Sequence, residues 1–334
     1  MRFYLAPLEG ITTYVYRRAL HRFFGPMDKY FIPFIVPHVK RSFNTREKND
    51  LSPEHNEGMY AVPQILTCDG EDFVRTADAM AQMGYREINL NLGCPSKTVT
   101  SKGRGAGFLA RPDELDQFLE YIFRHTDPSV RISVKTRTGT ASHEEFPRLL
   151  EIYNRYPLEE LIVHPRVMQA FYKGSPDWDV FETAMEDSRN PVCYNGDIRT
   201  AGDWSRLTAR FPAVNRVMMG RGVIADPFLA ERLRGMLPGR AEESGGAERA
   251  GEADRSLGRE ELDRLRAFHR QLVDDYSREM QEDNNVLFKM KEIWSYMAVL
   301  FPGGEKWMKK LRKCKRLSEY EICVEQLWEG AARG

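Results

Sequence analysis

Short apolar runs, most of them closed by Gly or Pro, recur along the first two-thirds of the chain. They are Phe3–Ala6 before Pro7, Phe31–Ile35 around Pro33, Ala61–Leu66, and Glu87–Asn91 before Gly93. Four more follow at Arg131–Thr136, Glu160–His164 before Pro165, Pro191–Asn195 before Gly196, and Val214–Met219 before Gly220. Runs of this length bounded by Gly and Pro read as buried strands. Apolar residues at helical spacing lie between them. Thr12-Thr13 can cap a helix carrying Val15, Ala19, Leu20 and Phe23. Asp69–Met83 is helical and stops at Gly84, and Arg111–His125 has Pro112 in its first turn. Further helices are expected over Glu144–Tyr156, Ala201–Arg210 and Pro227–Met236, and residues 38–58 read as a long loop. Eight strands alternating with helices over about 237 residues predict an α/β fold of the (β/α)8 TIM-barrel type. A doubly wound sheet would want a GxGxxG turn after its first strand, and none is present.

The pattern changes at residue 239. Residues 239–258 are dense in Gly, Ala, Glu and Arg without apolar periodicity, as expected of a flexible linker. From Glu260 helical spacing returns, with Leu262, Leu265, Phe268, Leu272 and Tyr276 on one face and Val286, Met290, Ile293, Met297 and Leu300 on another. Leu317, Ile322, Val324 and Leu327 close the segment. The expected organisation is a barrel over 1–238, a linker over 239–258 and a small helical bundle over 259–334.

Composition narrows the class without deciding the function. Of 334 residues, 42% are apolar and 29% charged, and the formal net charge is zero, so a polyanion would need a local basic patch. Five scattered cysteines form no CxxC pair, which argues against a disulfide framework and a structural zinc site. With no long apolar stretch, a cytoplasmic monomer is expected.

In a barrel of this type the residues just past each strand share one rim. Here they are Pro7, Gln64, Asn91 with Cys94, Lys135, His164 with Arg166, Asn195-Gly196-Asp197, and Gly220-Arg221. Taken alone, Cys94 reads equally as a structural thiol, and Asn195-Gly196 is a common turn pair. Together, polar strand ends converging on one face point to a site. The glycine turns after strands seven and eight imply a phosphorylated cofactor, with Arg221 adding charge. Lys135 and Gln64 would reach the polar edge of a ring across the mouth, where a lysine stabilises a reduced flavin anion.

The chain resembles the tRNA-dihydrouridine synthases over nearly its whole length. The resemblance is carried by Leu5–Gly10, Gln64, Leu90-Asn91-Leu92-Gly93-Cys94-Pro95, Val134–Arg137, Val163–Arg166, Asn195–Ile198 and Met219–Gly222. It implies an FMN-dependent reduction of a uridine in tRNA, with NADPH (or NADH) reducing the flavin. Cys94 would be the proton donor to C5, opposite a hydride delivered to C6. A thiol of ordinary pKa is mostly protonated at neutral pH and suits that role. The resemblance assigns Pro7, Gln64, Lys135, His164, Asn195, Gly196, Asp197, Gly220 and Arg221 to FMN. Asn91, Lys97 and Arg166 would meet the substrate.

The run Lys306–Arg316 holds seven basic residues and no acidic one, and Lys306, Lys309, Lys310, Arg312 and Lys313 are expected to meet tRNA phosphates. Lys40, Arg41, Lys102 and Arg104 would extend this track. The chain departs from the commoner family pattern at Thr13 and at Pro165 and Val167, where many members have Asp, Gly and Thr. Two alternatives remain at this point. One is another FMN barrel acting on a free pyrimidine, as dihydroorotate dehydrogenases do. The other is an RNA-binding protein without turnover.

Overall fold

The computed structural model describes residues 1–38, 43–237 and 257–332. The expected linker, apart from its last two residues, and Lys40 and Arg41 lie outside them.

Eight parallel strands close into a barrel in chain order. They are β1 (Arg2–Leu5), β2 (Lys29–Ile35), β3 (Ala61–Ile65), β4 (Glu87–Leu92), β5 (Arg131–Arg137), β6 (Leu161–His164), β7 (Val192–Asn195) and β8 (Arg216–Met219). β1 meets β8 from Arg2 opposite Arg216 to Leu5 opposite Met219, which closes the ring. Pro33 does not end β2. The pairing with β3 shifts register between Ile32 and Ile35, which accommodates a residue with no N–H to donate. The connecting helices are α1 (Tyr14–Phe24), α2 (Thr45–Leu51), α3 (Gly70–Gln82), α4 (Lys97–Thr100), α5 (Pro112–His125), α6 (Phe146–Tyr153), α7 (Trp178–Asp187), α8 (Ala201–Arg210), α9 (Arg221–Ala225) and α10 (Leu229–Gly235).

Four helices, α2, α4, α7 and α9, arise where none was expected, and two of them show why. Within 38–58, α2 starts at a reciprocal cap in which Asn44 Oδ1 accepts the Glu47 N–H (2.9 Å) and Glu47 Oε2 accepts the Asn44 N–H (2.8 Å). Such a box favours a helix even in a polar stretch with little apolar spacing. α7 begins where the Asp177 carboxylate accepts the N–H groups of Asp179 and Val180, both at 3.0 Å.

The barrel interior is layered. At its base, Lys29 Nζ lies 2.7 Å from Glu87 and 3.1 Å from Glu160, with all three residues almost wholly buried. The Tyr4 hydroxyl donates to Glu160 (2.5 Å), and Arg216 lies 3.0 Å from the same carboxylate. Above it is an apolar plug that includes Tyr4, Ala6, Phe31, Val62, Ile162, Cys193 and Met218. The rim beyond the plug is polar. Filling a barrel with layers of side chains leaves chemistry only at the C-terminal ends of the strands.

Internal contacts divide the chain into two units. One, Met1–Glu9 with Asp28–Asp197 and Thr208–Met219, contains all eight strands. The other joins Gly10–Met27 and Ile198–Leu207 to the chain from Gly220 onward. It includes α1, α9, α10, α11 (Arg259–Glu279), α12 (Asp283–Met297), α13 (Gly304–Leu311) and α14 (Leu317–Ala331). Within it, Tyr16 and Phe24 of α1 meet Phe268 of α11 edge-on at 5.8 and 5.1 Å, and Phe24 also meets Phe228 at 4.8 Å. Deeper in, the Tyr320 hydroxyl joins His269 Nε2 (2.6 Å) to the Trp294 indole N–H (2.9 Å). Burial brings His269 down to about 3, so the imidazole is neutral. α11 buries the predicted face. On α14 Val324 and Leu327 are buried as expected, Ile322 is exposed, contrary to expectation, and Tyr320, Cys323 and Trp328 are buried as well. No helix among the described residues is long and apolar enough to cross a membrane.

Candidate active site

The site is built from a chain of amides across β3, β4 and β5. Asn89 Nδ2 donates to Ser133 Oγ (2.9 Å) and Gln64 Nε2 to Asn89 Oδ1 (2.7 Å). Asn91 Nδ2 then donates to Gln64 Oε1 (2.7 Å). Gln64, Asn89 and Ser133 are fully buried, and Asn91 nearly so. Polar side chains are tolerated on such a strand face because each satisfies the next. The last member turns outward. Asn91 Oδ1 accepts the N–H groups of Gly93 (3.0 Å) and Cys94 (2.9 Å), so β4's own side chain fixes the loop that carries the thiol. From the other side, Ala106 N–H donates to the Cys94 carbonyl (3.0 Å). Gly105 makes that approach possible: its φ is +56°, and a Cβ there would lie 2.8 Å from the Cys94 oxygen.

Cys94 is half-buried, and burial pushes its thiol up. The Ser96 N–H opposes that rise, Glu9 adds to it, and Lys135 and Arg137 oppose it. The thiol therefore keeps its proton at neutral pH. Lys135 stands opposite Asn91 in the β4–β5 register. Burial, and then repulsion from Arg137, bring its amine down to about 8, and among the described residues its ammonium has no hydrogen-bond or ion-pair partner.

The end of β6 is tightly tied. Arg166 is buried and faces His164 Nε2 (3.0 Å), the Asp197 carboxylate (2.6 Å) and the carbonyls of Lys173 and Gly174. With four of its five N–H bonds in use, it positions the loop after β6 rather than standing open to solvent. Asn195 Nδ2 donates to the Met218 carbonyl (2.9 Å). A Cβ on Gly196 would strike the Tyr194 hydroxyl at 2.1 Å.

The barrel thus gathers Gln64, Asn91, Cys94, Lys135, His164, Arg166, Asn195, Gly196 and Asp197 at its strand ends, with Pro7 half-buried just past β1 and Lys97 exposed at the start of α4. Gly220 and Arg221 open α9 in the second unit. There too lie Lys306, Lys309, Lys310, Arg312 and Lys313, all exposed, on α13 and the turn after it.

The family profile described as dihydrouridine synthase matches residues 4–331. The chain belongs to the dihydrouridine synthase family. It is 31% identical over 243 residues to the tRNA-dihydrouridine(16) synthase of Ralstonia nicotianae, covering 71% of this chain and 73% of that protein. It is 27% identical over 231 residues to tRNA-dihydrouridine synthase B of Pasteurella multocida, covering 68% and 67%. Among solved structures, a 2-naphthoyl-CoA reductase complex shares the fold, with a TM-score of 0.54 at 11% identity. The match takes in 71% of this chain and only half of that one.

Two residues important to the site of this dihydrouridine synthase family member escaped sequence reasoning. Arg137 is buried, and its guanidinium donates to the carbonyls of Gly93 (2.9 Å), Val167 (2.9 Å) and Phe171 (2.6 Å). It ties the thiol loop to the loop after β6. Burial brings it down to about 10. The Val134–Arg137 motif contained it, but no pattern in sequence tells a clamp from a surface charge. The second is Gly105, whose signal was the glycine-rich stretch Gly103–Gly107.

Proposed function

We propose that this protein reduces the C5–C6 double bond of a uridine in tRNA, using FMN and NADPH. One observation carries the reading. A thiol kept protonated by burial is fixed at the end of β4, and an unpartnered lysine stands one strand away on the same rim. The residues fit a flavin on the same ground, since a cation with no protein partner suits the electron-rich edge of a reduced ring. When bound, FMN would supply the hydride to C6. Cys94 would deliver its proton to C5 from the other face. Asn91 keeps one N–H free of the bonds described above and would hold a uracil carbonyl. Lys135, Gln64, His164, Asn195, Gly196 and Asp197, with Pro7, form the proposed cofactor set.

The deciding experiment incubates the purified protein with FMN, NADPH and an unmodified tRNA transcript and maps dihydrouridine along the product. Position 16 is the first to inspect, because the Ralstonia relative carries that position in its name. Reduction of free pyrimidines with none of tRNA would sink the reading. The exposed basic run favours RNA over a free base. Changing Lys309, Lys310, Arg312 and Lys313 together to Gln should weaken tRNA binding more than tenfold and flatten the log–log salt dependence by about 3, with flavin uptake untouched. An unchanged salt slope would remove this run from the RNA surface.

Lys135 makes a pH prediction. In the flavin-free protein its proton leaves as pH rises through about 8. Affinity for FMN should then fall by up to tenfold per pH unit above that point, because the neutral amine no longer attracts the ring. Lys135→Met should bind weakly at every pH and lack the slope. Flavin titrations between pH 7 and 9.5 measure both, and a flat wild-type profile would contradict the assignment.

A further inference from the structure

Phe171 combines three features. Among the described residues it is the one non-glycine residue with a positive φ, at 51°. The residue is 38% exposed, beside Tyr172 at 52% and the exposed Lys173. Its backbone is held on both sides: the N–H donates to the Met168 carbonyl (3.1 Å), and the carbonyl accepts from Arg137 Nη2 (2.6 Å). The same guanidinium binds the carbonyl of Gly93, the residue before Cys94. A left-handed conformation is unfavourable for a bulky residue and persists only where surrounding contacts enforce it. Glycine would take this φ without strain. The chain instead keeps a partly exposed aromatic residue there, tied through one arginine to the loop of the reactive thiol.

We propose that Phe171 is a positioning residue that stacks a nucleobase flanking the target uridine; the proposal rests on the tRNA reading above. An extruded uridine leaves a neighbour without its stacking partner. An aromatic face followed by a cation matches an unstacked base and its phosphate, and such stacking tolerates any base. Two other exposed apolar residues, Phe288 on α12 and Val299 just past its end, have no positive φ.

The test compares wild type with Phe171→Gly and Phe171→Trp. Phe171→Gly suits the native backbone, so folding and NADPH-driven flavin reduction should match wild type. Its kcat/KM for tRNA should fall about 10- to 100-fold, and Phe171→Trp should restore most of it. In tRNA carrying 2-aminopurine beside the target uridine, binding should quench the fluorophore with wild type and Phe171→Trp, and not with Phe171→Gly. Wild-type kcat/KM or unchanged quenching in Phe171→Gly would overturn the proposal. So would an equal loss in Phe171→Trp, or altered flavin reduction, which would mark the ring as a flavin cover. If wild type makes no dihydrouridine in any tRNA, the functional reading fails; the quenching still reports on Phe171 by itself.

Discussion

Cys94→Ala is expected to slow uridine reduction by about 100- to 10,000-fold, the range a positioned general acid supplies. Flavin binding and flavin reduction by NADPH should survive, because neither uses the thiol. The loop should keep its shape, since Asn91 and Ala106 hold it through backbone atoms that alanine retains. Burial raises the thiol's pKa, so the wild-type rate should hold through neutral pH and decline only once the medium is alkaline enough to strip the proton. Single-turnover reduction of tRNA by the pre-reduced protein isolates the step. A Cys94→Ala protein that works at the wild-type rate would show that the proton comes from elsewhere.

The second large effect is on stability and lies at the other end of the barrel. Lys29→Met should destabilise the protein by about 3–5 kcal/mol, the usual result of removing one partner from a buried ionic cluster. Glu87 and Glu160 would face each other without the cation between them. Burial already raises the pKa of Glu87, with Lys29 opposing that rise. Losing the lysine should raise it further, so the folded variant would bind more protons than the unfolded chain above the ordinary carboxylate range. The sign follows: the variant's stability should improve as pH falls from 7 toward 5, narrowing its deficit. Adding Glu87→Gln should recover part of the loss at pH 7. Denaturant melts at both pH values measure this, and a deficit below 1 kcal/mol would mean the cluster contributes little.

The strands were legible in the chain because each apolar run ends at a Pro, Gly or polar rim residue, and the order of those rim residues matched a family pattern. Pro33 was compatible with a strand because a register shift absorbed it. What the chain concealed were partnerships between distant residues. Asn91 and Arg166 read as substrate contacts, yet most of their capacity serves the Cys94 loop and the loop after β6. Arg137 looks like any charged residue until three carbonyls are seen around it. Local signals were missed too: Asn44-Thr45-Arg46-Glu47 spells a capping box that outweighs the polar character of its segment. Ile322 misled because apolar identity was taken for burial, while Tyr320 and Trp328 held the inward side of α14.

The packing of α1 on α11 bears on synthesis. Phe268, which meets Tyr16 and Phe24, is made some 240 residues after them. At ordinary translation speeds that interval is roughly 10 to 50 seconds. Throughout it the aromatic face of α1 lacks the ring of Phe268. Closing that face requires a contact of very large sequence separation, the kind that folds slowly, so α1 is among the last of these helices to find its place.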